Sequence, residues 1–155
     1  MMQPKTNLNC SPWGPILLAD DDVDFRMVIR DILSSEKACG EVFEVGNGFE
    51  AMEFLCRRGR FESAPQAALV YLDMNMPGLT GLQVLQRIKL DVRLRHIPVV
   101  ILSGQDDPWA VHQAQCFGSS EYLVKPREFG SLRRVIRATT EYWMDSSLRG
   151  QRWAG

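Results

Sequence analysis

Four short apolar runs each close on side chains that can do polar chemistry. Ile16 to Ala19 is followed by Asp20, Asp21 and Asp22, Ala67 to Leu72 by Asp73, Ile97 to Leu102 by Ser103, and Tyr122 to Val124 by Lys125. A carboxylate directly after Leu-Val-Tyr-Leu in a buried run is expensive unless it is solvated, paired or bound to a metal. Clustered carboxylates also repel one another, and a hard divalent cation with oxygen ligands relieves that repulsion. Few protein ligands and several waters suit Mg2+, or Mn2+ in its place. With a metal against Asp73, one carboxylate oxygen is placed to attack phosphorus, while the Ser103 hydroxyl and Lys125 ammonium offset charge on the phosphoryl oxygens. This is phosphoryl transfer by positioning and electrostatics. Three consecutive aspartates equally suit a helix N-terminus, a reading that explains Asp22 or Asp24 better than Asp20. A strand-end serine or a snorkelling lysine says little without the other.

These side chains converge only if the runs that carry them are strands of one sheet. Five strands are expected: Ile16 to Ala19, Val42 to Val45, Ala67 to Leu72, Ile97 to Leu102 and Tyr122 to Val124. Three of them are almost continuously apolar, as strands covered on both faces are. Between them, Phe25, Val28, Ile29, Ile32 and Leu33 follow helical spacing, as do Phe129, Leu132, Val135, Ile136 and Trp143. Weaker helical patterns cover about Gly48 to Arg58, Thr80 to Lys89 and Asp107 to Phe117. Five repeats of strand and helix predict an α/β fold, a doubly wound five-stranded parallel sheet flanked by five helices, whose ligands bind at the carboxyl ends of the strands.

The chain has 155 residues, 45% of them hydrophobic, enough for one core and little more. Its 18 basic and 19 acidic side chains nearly cancel, so no global field attracts nucleic acid or an anionic membrane. Cys10, Cys39, Cys56 and Cys116 are scattered without C-x-x-C spacing, which suits thiols in a reducing cytosol better than a disulfide framework. The sequence shows neither a signal-peptide core nor a membrane span, and a cytoplasmic protein is expected. Residues 1–14, rich in Pro, Asn, Ser and Gly, read as a flexible lead-in; 15–145 read as the domain and 146–155 as a short tail.

The motifs I-L-L-A-D-D-D, L-D-M-N-M-P-G, V-I-L-S-G and Y-L-V-K-P, in that order and at successive strand ends, resemble the signature of response-regulator receiver domains of two-component systems. The resemblance spans roughly Pro15 to Tyr142 and implies a flavodoxin-like sheet. It implies that Asp73 is the phosphoacceptor, that Asp21 is a direct metal ligand, and that Asp20 acts through metal-bound water. It further implies that Asn75 gives its backbone carbonyl to the metal, with its side chain near the water of dephosphorylation. Ser103 would bind the phosphoryl group, and Lys125 would pair with Asp73 before phosphorylation and with phosphate afterwards. Tyr122 matches the family's switch aromatic, and Lys125-Pro126 its cis peptide. Gly104 leaves room for phosphate, while Gln105 influences access of hydrolytic water. Each also has an ordinary reading: Asn75 as a turn residue, Tyr122 as a strand aromatic, Pro126 as a helix breaker.

The resemblance implies a signalling protein rather than an enzyme acting on other substrates. It would catalyse its own phosphorylation and slow autodephosphorylation. Its partners would be a sensor histidine kinase or a histidine phosphotransfer protein, and a downstream protein reading the surface around Trp109, His112 and Arg133. A long basic connection around Arg57, Arg58 and Arg60 and a long last helix resemble single-domain regulators associated with phytochromes. Tyr142 and Trp143 are a candidate dimer patch, although Trp143 also extends the core stripe. Three other functions compete. A degenerate receiver used only for binding would not need the full acidic, serine and lysine set. A phosphohydrolase of the aspartyl-phosphate type would want a carboxylate at position 75. A flavin-binding relative would not place acidic loops where a flavin phosphate sits. No basic helix-turn-helix segment is present for DNA binding, so output is expected through protein contacts.

Overall fold

The computed structural model describes residues 13–35 and 40–154. Its five strands are β1 (Ile16–Ala19), β2 (Val42–Val45), β3 (Leu69–Asp73), β4 (Val99–Ser103) and β5 (Glu121–Val124). They alternate with α1 (Val23–Ser34), α2 (Gly48–Cys56), α3 (Gly81–Leu90), α4 (Pro108–Cys116) and α5 (Phe129–Ala154), and one 3-10 turn covers Gly59–Phe61. All pairings are parallel, in the order β2-β1-β3-β4-β5. The order reverses direction between β1 and β3, which opens a crevice at their carboxyl ends. The expected doubly wound, flavodoxin-like sheet with five helices is therefore what the chain forms.

Side chains alternate across the sheet with the strand period of two. Leu17, Ala19, Val70, Leu72, Val99 and Ile101 face α2, α3 and α4, where they meet Phe54, Leu55, Val84, Leu85 and Ile88. Ile16, Leu18, Leu69, Tyr71, Val100 and Leu102 belong to the opposite layer, with Ile29, Ile32 and Leu33 of α1 and Leu132 and Ile136 of α5. Burying one such side chain fully contributes about 1.5–3 kcal/mol, so both apolar layers are needed to hold the sheet.

Several boundaries differ from the sequence reading. β3 and β4 begin two residues later than expected, because Ala67 and Ile97 are buried at the foot of the sheet without extending the ladder. Both strands run on through their polar ends, Asp73 and Ser103. The last helix continues to Ala154, where a tail was expected from residue 146. Trp13, assigned to the flexible lead-in, is buried and packs with Ile16 and Leu18. Residues 1–12, with Cys10, lie outside the described residues, as does Cys39. Cys56 and Cys116 are free thiols. Among the described residues, no helix is long and apolar enough to cross a membrane.

Candidate functional site

The carboxyl ends of β1 and β3 bring the acidic residues together. Asp20 follows β1 and is completely buried; Asp73 ends β3 and is 6% exposed; Asp21 is exposed. One carboxylate oxygen from each of the three lies within 4.8 Å of the others. That spacing, with two buried carboxylates and one open to solvent, fits a small hard cation whose remaining ligands are waters. Asp22 caps α1, accepting from the amides of Asp24 and Phe25 at 3.0 and 3.2 Å. The aspartate run is thus divided: Asp20 and Asp21 belong to the site, and Asp22 to the helix.

The first strand end is braced from behind. Arg26 donates to the Asp20 carbonyl at 2.6 Å and to Glu44 of β2 at 3.2 Å, and Glu44 also pairs with Arg30 at 2.5 Å. The Asp20 carboxylate accepts from the Asp22 amide at 2.9 Å. The acceptor end is equally constrained. A β-carbon on Gly81 would stand 2.3 Å from the Asp73 carbonyl oxygen, so only glycine lets α3 approach this closely. Thr80 and Gln83 close a capping box at the start of the same helix. Gly78 holds a positive φ of 78° in the Met-Pro-Gly turn, packed against Phe49.

Lys125 follows β5, its amide donating to the Ser103 carbonyl at 2.7 Å. Its ammonium reaches Asp20 Oδ2 at 2.8 Å, while Asp73 Oδ1 is 3.6 Å away. Lys125 thus lies within ion-pair distance of the expected partner, Asp73, as well as of Asp20. Asp20 takes the closer contact because, fully buried, it has the greater need of a countercharge. The ammonium also lies 4.2 Å from the centroid of the Phe25 ring. Burial, followed by the charge of Asp20, raises the pKa of Asp73 to about 6. Lys125 and the Asn75 amide pull the other way, and Asp21 adds a smaller upward push. A carboxyl group held up by burial and by neighbouring carboxylates is one that a cation would return to its ionised form.

The remaining candidates surround this centre. Ser103 is buried, its hydroxyl accepting from the Gln105 amide at 3.2 Å. Gly104 is exposed, and a β-carbon built there meets nothing within 4 Å. Asn75 is exposed and donates its amide to Asp73 Oδ1 at 3.4 Å. Tyr122 is half-buried, its hydroxyl donating to the Gln105 carbonyl at 3.3 Å. The described backbone contains no cis peptide bond, so Lys125-Pro126 is trans, against expectation. The trans form is the default even before proline, and here the lysine reaches the carboxylates without the alternative.

Two features of the structure escaped the sequence reading. Phe25 was placed in the core stripe of α1, yet it also covers Lys125. Tyr71 of β3 shares a buried hydrogen bond of 2.6 Å with Thr140 of α5, tying the acceptor strand to the last helix. Its partner lies 69 residues away, and no local pattern marks it. Arg57, Arg58 and Arg60 of the basic connection are all exposed, and Arg60 pairs with Glu50 at 2.9 Å and stacks on Phe61, which meets Phe54 edge-on. Tyr142 is exposed, while Trp143 is half-buried and donates to Glu121 at 2.7 Å.

Known proteins share this sequence pattern and fold. Residues 16–137 match the family described as the response regulator receiver domain. "Response regulator Rcp1" from Synechocystis sp. is 29% identical over 139 residues, which is 88% of this chain and 92% of that protein. The phosphorylated cyanobacterial phytochrome response regulator RcpA superposes with a TM-score of 0.81 at 29% identity, covering 85% of this chain and 94% of RcpA. The Mn2+-bound form of Rcp1 gives a TM-score of 0.79 at 28% identity, with 84% and 94% covered. The expectation drawn from four motifs thus extends to the whole fold. The chain belongs to the response regulator receiver domain family of two-component signal transduction.

Proposed function

We propose that this receiver accepts a phosphoryl group on Asp73 from a histidine kinase or histidine phosphotransfer protein in a divalent-metal-dependent reaction, and signals through protein contacts. The observation that carries the proposal is the meeting of three carboxylates with one lysine at the β1–β3 crevice. Asp20, Asp21 and Asp73 would hold the metal, Asp21 directly and Asp20 through water, with the Asn75 carbonyl as a further ligand. Mg2+ or Mn2+ would supply charge neutralisation for the transferring group. The likeness to a Mn2+-bound form of Rcp1 supports a divalent ion at this acidic cluster.

Both protein contacts to the Asp73 carboxylate fall on Oδ1, from Lys125 and from the Asn75 amide. Oδ2 is therefore the oxygen assigned to attack. It forms the new bond to phosphorus as the P–N bond of the donor's ring-protonated phosphohistidine breaks, the P–N electron pair leaving with a neutral imidazole. Lys125 then turns from Asp20 toward a phosphoryl oxygen, and the Ser103 hydroxyl exchanges the Gln105 amide for another. That exchange loosens the β4–α4 loop on which the Tyr122 hydroxyl rests. Phosphorylation shifts the population only as far as the phosphoryl group prefers the rearranged Ser103 and Tyr122 over the resting arrangement. Asn75 and Gln105 flank the path of the water that ends the signal. The surface around Trp109, His112 and Arg133 is where a downstream partner, or a second copy, would read it. A cytoplasmic setting follows from the nature of such donors.

The test is intact mass after incubation with a small acyl-phosphate donor. One phosphoryl adduct is expected with Mg2+, none after chelation and none in Asp73→Asn. An adduct of undiminished stoichiometry in Asp73→Asn would overturn the assignment. Asp73→Asn is expected to keep the fold.

A further inference from the structure

The apolar stripe of α1 belongs to the core for most of its length, but its first member also serves the site. Phe25 is half-buried in the first turn, its inner side packed on the layer of α1 and α5. Its ring face receives the Lys125 ammonium at 4.2 Å. The same ammonium touches Asp20 at 2.8 Å and approaches Asp73 at 3.6 Å. One cation therefore has a carboxylate on each of two sides and an aromatic face on a third.

Lysine is a point charge on a flexible four-carbon stem, and two carboxylates alone leave it free to slide between them or toward water. An aromatic face attracts an ammonium through its quadrupole, most strongly where solvent is thinned, and the Lys125 side chain is only 19% exposed. The backbone that carries the ring is itself held, since the Phe25 amide donates to Asp22, the cap of the helix, and the ring packs on the α1 and α5 layer. The aspartate run that supplies Asp20 thus also sets the place of the ring over its lysine.

We propose that Phe25 is a positioning residue that holds the Lys125 ammonium between Asp20 and Asp73, within reach of an incoming phosphoryl oxygen but short of a close ion pair with the acceptor. The role rests on the acceptor reading above. With the ring removed, the ammonium settles against the carboxylates or swings into solvent, and the cation no longer waits where charge develops. A purely structural residue of α1 would act regardless of the lysine; Phe25 should act only through it.

Two measurements decide this in the full-length protein. In proton NMR, the Lys125 methylenes beside the ammonium should be displaced upfield by the ring, lose the displacement in Phe25→Leu and keep it in Phe25→Tyr. With a small acyl-phosphate donor and Mg2+, Phe25→Leu should slow phosphorylation about three- to tenfold, the span expected of such a contact. Phe25→Tyr should restore most of the rate, and Phe25→Leu should have no further effect in a Lys125→Ala background. Equal slowing with and without the lysine, or methylenes without displacement in the unaltered protein, would overturn the role while leaving Asp73 phosphorylation intact. Absence of the adduct from every variant, with the displacement preserved, would instead overturn the acceptor reading and this role with it.

Discussion

Along β1, β3 and β4 every residue is buried, whereas every residue of β5 keeps some exposure and Val124 is 40% exposed. The flanking helices divide the same way: α3 buries Gly81, Val84, Leu85 and Ile88, but α4 buries only Ala114. The centre of the sheet carries the carboxylates, fixed by Arg26, by the close approach of Gly81 and by the capping box of α3. The β5 edge carries Tyr122, and α4 beside it opens Trp109 to solvent. Regions with few buried apolar contacts open at lower free energy, so the edge is the part able to respond while the centre stays in register. Lys125 joins the two, with its backbone on the edge and its ammonium in the centre.

That contrast can be broken from either side. The largest effect is expected from Leu72→Ala in the centre, a cost of about 2–5 kcal/mol in chemical denaturation because the cavity lies between packed layers. Asp73→Asn should act in the opposite direction. With a folded pKa of about 6 against an ordinary 3.8, Asp73 favours the folded state fully below pH 4, and that contribution is lost as pH rises through 6. The asparagine variant should therefore match the unaltered protein near pH 3.5 and exceed it at neutral pH by on the order of 1–3 kcal/mol. Mg2+ should narrow the gap by stabilising only the carboxylate form. Thr140→Val, which leaves the buried Tyr71 hydroxyl without its closest partner, should cost about 1–2 kcal/mol. At the other extreme, Trp109→Ala on α4 should change stability by no more than about 0.5 kcal/mol. A cost there as large as that of Leu72→Ala would dissolve the distinction between centre and edge.

The centre was also the legible part of the sequence. Apolar runs ending in Asp20, Asp73 and Ser103 announce buried parallel strands with polar ends, because a carboxylate at the end of a buried run is costly unless it is solvated, paired or bound to a metal. β1 and β2 fall where the apolar runs place them. β3 and β4 were expected too early, since burial of Ala67 and Ile97 looks the same in sequence as membership of the ladder. The edge was less legible: which carboxylate Lys125 prefers depends on burial, which only the fold determines. Likewise Phe25 follows the helical period of a core residue, and only the reach of the Lys125 side chain from the end of β5 back to the end of β1 reveals its second face. The extension of α5 past residue 145 was hidden by polar and small residues that continue the helix without a readable stripe.

The most direct measurement is peptide-resolved hydrogen exchange of the protein with a small acyl-phosphate donor and Mg2+, beside Asp73→Asn under the same conditions. Phosphorylation is expected to change exchange in the segment from Gly104 through Lys125, leaving the amides of β1 and β3 protected, with no change in Asp73→Asn. An unchanged edge despite a complete Asp73 adduct, or the same change in Asp73→Asn, would contradict a rigid acceptor coupled to a responsive edge.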